Sequence, residues 1–245
     1  MDIDRIFRDL EFKIDPKDDY RKAYLFRLKK GIYKLINRDK NFVFDNCIIN
    51  KNVENLNLRK TLLKIDSMST YAVGHVVNQL CKQLSEDEIY LNIGCWKGFT
   101  LISGMIDTYC KVIGVDNFSQ FEGPKEEFYF NFNKYKNYKK HFFYNEDYKV
   151  FFKNFEKTNQ SISFYYYDGE HSYKNQYENL EIADNFLKKG SIVLIDDINF
   201  PDVENGTKDF ISKSKSNYKV LKEIKTANNH CHPSFWNGIL ILEKF

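Results

Sequence analysis

The sequence has no window approaching the ~18 consecutive apolar residues that a membrane-spanning helix needs, so a helical membrane protein is excluded and no membrane partner is expected. The N-terminus, MDIDRIFRDL, is charged and lacks an apolar centre, and no signal peptide is expected there. Cysteines stand only at 47, 81, 95, 110 and 231, an odd set with no CxxC pair. That excludes a disulfide framework and points to free thiols in a reducing, cytoplasmic compartment. No concentrated basic run exists, and the net charge is only +3. A global field for nucleic acid is therefore missing, and no nucleic-acid partner is expected. Internal repeats and low-complexity linkers are also absent.

What is present suits one α/β domain with an extension. The chain has 245 residues, of which 42% are hydrophobic and 17% aromatic, enough to fill a sizeable core. Residues 1–85 read as a mostly helical, rather polar extension or cap. In residues 18–38, Tyr20, Tyr24, Leu28, Ile32 and Leu35 recur at helical spacing, and residues 69–84 carry Ala72, Val73, Val76, Val77 and Leu80 on one face. Between them, NFVFDNCIIN fits a short strand or a loop. From residue 86 to 245 short apolar runs alternate with amphipathic helices, the pattern of a largely parallel sheet. The runs are 89–93, 111–115, 141–144, 162–167 and 191–195, followed by 218–224 and 238–242. The last two have no helix between them and should pair as an antiparallel hairpin. The expected fold is thus a Rossmann-like, doubly wound, mostly parallel seven-stranded sheet. The best-marked helix has Ser172 as its cap and Tyr173, Tyr177, Leu180, Ala183 and Leu187 as its stripe, closed by Lys188-Lys189-Gly190.

The first run leads into Asn92-Ile93-Gly94-Cys95-Trp96-Lys97-Gly98-Phe99-Thr100. Gly94 permits a tight turn and close approach of a ligand, and Gly98 lets a helix start against the strand. The spacing is GxxxG, and Lys97-Gly98 is no Walker lysine sequence, so nothing here is built for a pyrophosphate. Asp116 closes the second run roughly 20 residues beyond Gly94, where a carboxylate at the neighbouring strand tip can accept from both hydroxyls of a ribose. The alternative is a turn aspartate that caps the following loop.

This stretch resembles the class I methyltransferases that use S-adenosylmethionine (SAM), over roughly residues 86–245. The resemblance implies that the loop with Asn92, Gly94, Cys95, Trp96 and Gly98 holds the methionine part of SAM. Asp116 and Asn117 would meet the ribose, and Glu146 or Asp147 the adenine. Asp147 could equally cap the helix that begins at Tyr148. Asn92 departs from the family, which usually has an acid at that position.

The runs at 162–167 and 191–195 end in Asp168-Gly169-Glu170-His171-Ser172 and Asp196-Asp197. As neighbours in a parallel sheet they would bring three carboxylates together, a self-repelling cluster that a hard divalent cation such as Mg²⁺ relieves. The arrangement resembles the metal-dependent O-methyltransferases, and the Asp-Gly-x-His form is closer to the sugar-acting branch. The resemblance implies Asp168, Asp196 and Asp197 as ligands for Mg²⁺ or Mn²⁺ and His171 as base. A helix start favours the neutral imidazole that a base requires. The alternative is that these residues only cap loops and helices. Asn229-His230-Cys231-His232 lacks a fourth zinc ligand. As a loop at the mouth of the site, it should bring His230 or His232 to the substrate. The expected function is O-methylation of a small hydroxylated molecule such as a sugar, with residues 1–85 in the substrate lid; a homo-oligomer is compatible with it. The alternatives are a metal-independent methyltransferase with another acceptor and an inactive SAM-binding interaction module.

Overall fold

The computed structural model describes residues 2–21, 24–36, 39–229 and 231–245. The N-terminal part runs α1 (Ile3–Arg8), β1 (Leu10–Phe12), α2 (Tyr24–Leu35), α3 (Asp39–Asn46), β2 (Cys47–Ile49), α4 (Leu56–Leu62) and α5 (Tyr71–Cys81). The rest runs β3 (Ile89–Ile93), α6 (Phe99–Met105), β4 (Lys111–Val115), α7 (Lys125–Tyr135), β5 (His141–Tyr144), α8 (Tyr148–Phe155) and β6 (Ile162–Tyr167). It ends with α9 (Tyr173–Asp184), β7 (Leu187–Asp196), α10 (Pro201–Lys213), β8 (Tyr218–Ile224) and β9 (Ile239–Lys244). No helix among the described residues is long and apolar enough to cross a membrane.

The sheet order is β5-β4-β3-β6-β7-β9-β8. Pairing is parallel from β5 to β7, and β9 inserts antiparallel between β7 and β8. The chain leaves β3 to build β4 and β5 on one side, then returns to build β6 and β7 on the other. The switch point therefore lies between the carboxyl ends of β3 and β6, where open α/β sheets bind ligands. Period-2 alternation explains why both faces are covered. Tyr90, Phe164, Tyr166, Ile192, Leu194, Ile239 and Ile241 belong to one core with α1, α4, α5 and α6. Their sequence neighbours Ile89, Leu91, Tyr165, Tyr167, Val193, Ile195 and Leu240 belong to the opposite core with α8, α9 and α10.

The N-terminal segment shares the first of these cores. Ile3, Leu58, Tyr71 and Val73 cluster with Tyr90 and Phe164. Thr70 caps α5 by accepting from the Val73 N–H, and buried Asn78 donates to the carbonyls of Ser103 and Ile106, tying α5 to α6. NFVFDNCIIN divides: its first part is α3, and Cys47–Ile49 pairs antiparallel with β1.

Several boundaries differ from the pattern in the sequence: the helical spacing of 18–38 gives α2 over Tyr24–Leu35, the last strand runs Ile239–Lys244 where 238–242 was expected, and α9 ends and β7 begins early. Helix α9 stops at Asp184, and Leu187 already pairs with Ile162 in the sheet, a partner a helical Leu187 would forgo. The next pair is Phe164 with Ile192, so Lys188-Lys189-Gly190 bulges from the strand, with Gly190 at φ +84°. Of the anticipated helix stripe, Leu180 and Ala183 are buried, whereas Tyr173 is exposed and donates to Asp209 Oδ2 at 2.6 Å.

Two histidines away from the sheet tips set an acid limit on the fold. Burial holds His75 and His141 neutral and lowers both from 6.5 to about 4. A depressed histidine stabilises the fold above its unfolded pKa and loses that contribution as pH falls. Stability should therefore drop between about 6.5 and about 4, by up to about 3 kcal/mol per histidine. Thermal melts across this range check it, and His141→Gln should flatten part of the slope.

Candidate active site

The loop after β3 is held in left-handed backbone. Gly94 has φ +80°, Trp96 φ 45° and Gly98 φ +94°. At Gly94 the requirement is steric as well, because a Cβ there would lie 1.8 Å from the Asp168 carbonyl oxygen. Two successive N–H groups, of Cys95 and Trp96, point into a shallow nest that suits an anion. Asp116 fills it: its Oδ2 accepts from Cys95 N at 2.7 Å and Trp96 N at 2.8 Å, and its Oδ1 accepts from Phe118 N at 2.7 Å. The residue expected to face a ribose therefore also locks the glycine loop. A carboxylate has about four acceptor positions, so capacity for a ribose hydroxyl remains.

Asn92 is fully buried behind this loop. Its Oδ1 accepts from Thr100 Oγ1 at 2.9 Å and its Nδ2 donates to the Gly94 carbonyl at 3.1 Å. An amide meets both needs, whereas an acid could not donate to that carbonyl. The amide here braces the turn and does not reach the cavity.

That cavity, of about 500 Å³, opens at the tips of β3, β4, β6 and β7. Gly94, Trp96, Asp116, Asn117, Glu146 and Asp147 line it. Asn92, Cys95 and Gly98 stand outside its wall and shape the loop from behind. Asp147 has both sequence-based roles open to it: it lines the cavity, and its Oδ1 caps α8 by accepting from Lys149 N at 2.8 Å.

At the tips of β6 and β7, Asp168, His171 and Asp197 offer ligand atoms that all lie within 4.8 Å of one another. His171 Nε2 is 2.8 Å from Asp197 Oδ2 and 3.7 Å from Asp168 Oδ1. Neither contact has hydrogen-bond geometry, so this buried ring nitrogen is near two acceptors without being aligned on either. Asp196 sits deeper. Its Oδ2 accepts from the Tyr166 hydroxyl at 2.5 Å and its Oδ1 from the Asp197 N–H at 2.9 Å. Asp197 itself adopts φ 57°, a strained conformation for a non-glycine residue, and Asn237 Nδ2 pins its Oδ1 at 2.7 Å.

The charges follow from this crowding. Burial, then the Asp197 charge, raises the Asp168 carboxyl, with His171 opposing. Burial and the Asp168 and Asp197 charges hold Asp196 well above the usual carboxylate range. For His171, burial acts to lower the pKa, but Asp168 and Asp197 outweigh it and raise it to about 10. The neutral imidazole anticipated from the helix start is thus replaced by an imidazolium. Two carboxylates at contact distance exceed the field of one helix terminus.

Sequence reasoning did not find the rest of the wall. Met68, Phe121, Phe200 and Trp236 supply apolar surface, and Asn237 reaches in from the loop between β8 and β9. Aromatic side chains in loops carry no periodic signal, so only the fold assembles them. His232 is buried away from the cavity, with Nδ1 2.7 Å from Ser234 Oγ and Nε2 3.0 Å from the Asp18 carbonyl. His230 lies outside the described residues, so its anticipated contact with substrate does too.

A seven-stranded sheet of this order, with its last strand inserted antiparallel and a cavity at the switch point, has the fold of the class I SAM-dependent methyltransferases. Residues 91–198 match the family model described as a methyltransferase domain. A search of curated protein sequences gives no match. Among solved structures, an O-methyltransferase from Bacillus cereus in complex with SAH is similar, with 12% identity and a TM-score of 0.57 over 78% of this chain and 92% of that one. TomG from Streptomyces achromogenes, an O-methyltransferase of tomaymycin synthesis in complex with SAM, is 10% identical, with a TM-score of 0.55 over 78% and 90%. At these identities the likeness is one of fold.

Proposed function

We propose that the protein is a SAM-dependent O-methyltransferase that acts on a small hydroxylated molecule with the help of a divalent cation. The observation that carries this reading is the Asp168–His171–Asp197 cluster facing the same cavity as Trp96 and Asp116. Trp96 and Asp116 would flank the methionine and ribose of SAM. Asn117 would join Asp116 at the ribose, and Glu146 or Asp147 would meet the adenine; all of them line the cavity. The two solved structures above, both named as O-methyltransferases and both cofactor complexes, support the cofactor and the oxygen acceptor.

The donor set fits a hard cation such as Mg²⁺ or Mn²⁺: two carboxylates face the cavity, beside a ring nitrogen that is not committed to a protein acceptor. Asp168 and Asp197 would hold the ion directly, and Asp196 would stiffen the Asp197 backbone from below. When bound, the cation would draw together oxygens of the acceptor and lower the pKa of the reacting hydroxyl. His171 keeps its proton only because both carboxylates face it. With a cation held by both carboxylates, His171 would release that proton to solvent, and the neutral Nε2 would then accept the proton of the reacting hydroxyl. Phe200, with its ring centroid 5.6 Å from that of His171, and Trp236 would keep water from the reacting oxygen. Their apolar surface suits an acceptor with one flat or apolar side and hydroxyls on the other, a sugar among them. Met68 brings residues 1–85 to the cavity rim, consistent with a cap that forms part of the substrate lid.

The test is methyl transfer from SAM across hydroxylated acceptors, with and without chelator. Chelator should abolish transfer and Mg²⁺ or Mn²⁺ restore it, while calorimetric SAH binding survives, because the glycine loop is separate from the acid cluster. Full activity in excess chelator would make the carboxylates structural.

A further inference from the structure

Helix α2 carries an apolar stripe that the fold leaves bare. Leu28, Ile32, Leu35 and Ile36 are 51%, 51%, 86% and 52% exposed. They recur at helical spacing, so they share one side of the helix. An adjoining side faces the protein: Tyr33 packs edge-on against Phe42 of α3 and donates to Asp45 Oδ2 at 3.1 Å. From residue 20 to 38 the sequence has seven basic residues (Arg21, Lys22, Arg27, Lys29, Lys30, Lys34 and Arg38) and no acidic one.

We propose that α2 is a docking surface for an anionic lipid membrane, with Leu28, Ile32 and Leu35 entering the headgroup boundary and the net positive charge of the segment drawing it to the lipid. An apolar stripe in a segment rich in basic residues, on a helix too polar to span, is the composition of helices that lie in the membrane plane. A second copy of this chain is disfavoured on charge. A two-fold contact along α2 would set the cationic segment against itself, with no acid in that segment to pair it. This inference revises the expectation of no membrane partner, which rested on the lack of a spanning segment. Pro16 O accepts from Ala227 N, and Arg21 Nη2 donates to Asn229 O, so residues 15–21 are bonded to the loop that supplies Trp236 and Asn237.

The test is co-sedimentation of the full chain with phosphatidylcholine vesicles, with or without phosphatidylglycerol. Binding should be at least about tenfold stronger to the anionic vesicles and should weaken at high salt. The triple substitution Leu28→Glu, Ile32→Glu, Leu35→Glu should abolish it, and the pair Lys29→Glu, Lys30→Glu should weaken it. Both variants should keep the wild-type circular dichroism and SAH affinity, since these positions are not on the cavity wall. Equal binding to neutral and anionic vesicles, or binding unchanged in both variants, would overturn the proposal. So would a concentration-dependent dimer that the triple substitution dissolves, which would make the stripe an interface between copies.

Discussion

Replacing His171 with alanine should lower kcat by about 10²–10⁴-fold, the range a positioned general base contributes. The nitrogen that would take the proton lies at the centre of the acid cluster, 2.8 Å from Asp197, and the described residues place no second histidine on the cavity wall. SAH affinity should hardly change, because the imidazole makes no contact with the glycine loop or Asp116. His171→Asn should be as slow, since it keeps polarity but cannot accept the proton. The cluster geometry also allows His171 to act as a ligand. Raising Mg²⁺ separates the two roles: a lost ligand is rescued by excess cation, and a lost base is not. The measurement is steady-state methyl transfer at saturating SAM over a Mg²⁺ series. Near-normal kcat in both variants would reduce His171 to a helix-start residue.

Gly94→Ala should damage the fold and the site together. The added Cβ would meet the Asp168 backbone oxygen at 1.8 Å, and neither atom belongs to a flexible side chain that could turn away. The tips of β3 and β6 would have to part, breaking the Asp168 N–H to Ile93 carbonyl bond of 2.9 Å. Gly94 also sits at φ +80°, where alanine is strained. Strain and displacement together should cost about 3 kcal/mol or more, a fall in Tm of roughly 6–12 °C for a chain of this size. Activity should fall further than stability explains, because Asp168 moves with the strand. Calorimetric melting beside SAH titration at a temperature where the variant is folded separates the two losses. A variant with wild-type Tm would mean that the strand tips are not as close as described.

The sheet was legible because its strands are short apolar runs bounded by polar or glycine residues. β3, β4, β5, β6 and β8 fall on the runs read from the sequence, and the β8/β9 hairpin follows from the missing helix between them. Legibility failed where tertiary pairing overrode local pattern. Leu187 continues the helical spacing of Leu180 and Ala183, yet cross-strand contact with Ile162 draws it into β7. In α2 the period was legible, but the side it would bury was not: Leu28, Ile32 and Leu35 face outward, and Tyr33 faces α3. At the site, Gly94, Asp116, Asp168, His171 and Asp197 could be named because each ends a strand or starts a helix. Their mutual electrostatics could not, since the charge on His171 depends on two aspartates that only the β6/β7 pairing brings to it. Asn92 was legible as part of the loop but not as its brace, because which way a strand-end side chain points depends on the register of the sheet.

The central claim, that this cavity binds SAM through the β3 loop and Asp116, is tested most directly by calorimetric titration of wild-type protein and Asp116→Ala with SAH, SAM and NAD. The expected result is saturable binding of SAH and SAM by the wild type, none of NAD, and a loss in Asp116→Ala of about 1–3 kcal/mol, or roughly 5- to 150-fold in Kd. Tight binding of NAD without response to SAH or SAM, or SAH affinity unchanged by Asp116→Ala, would contradict it.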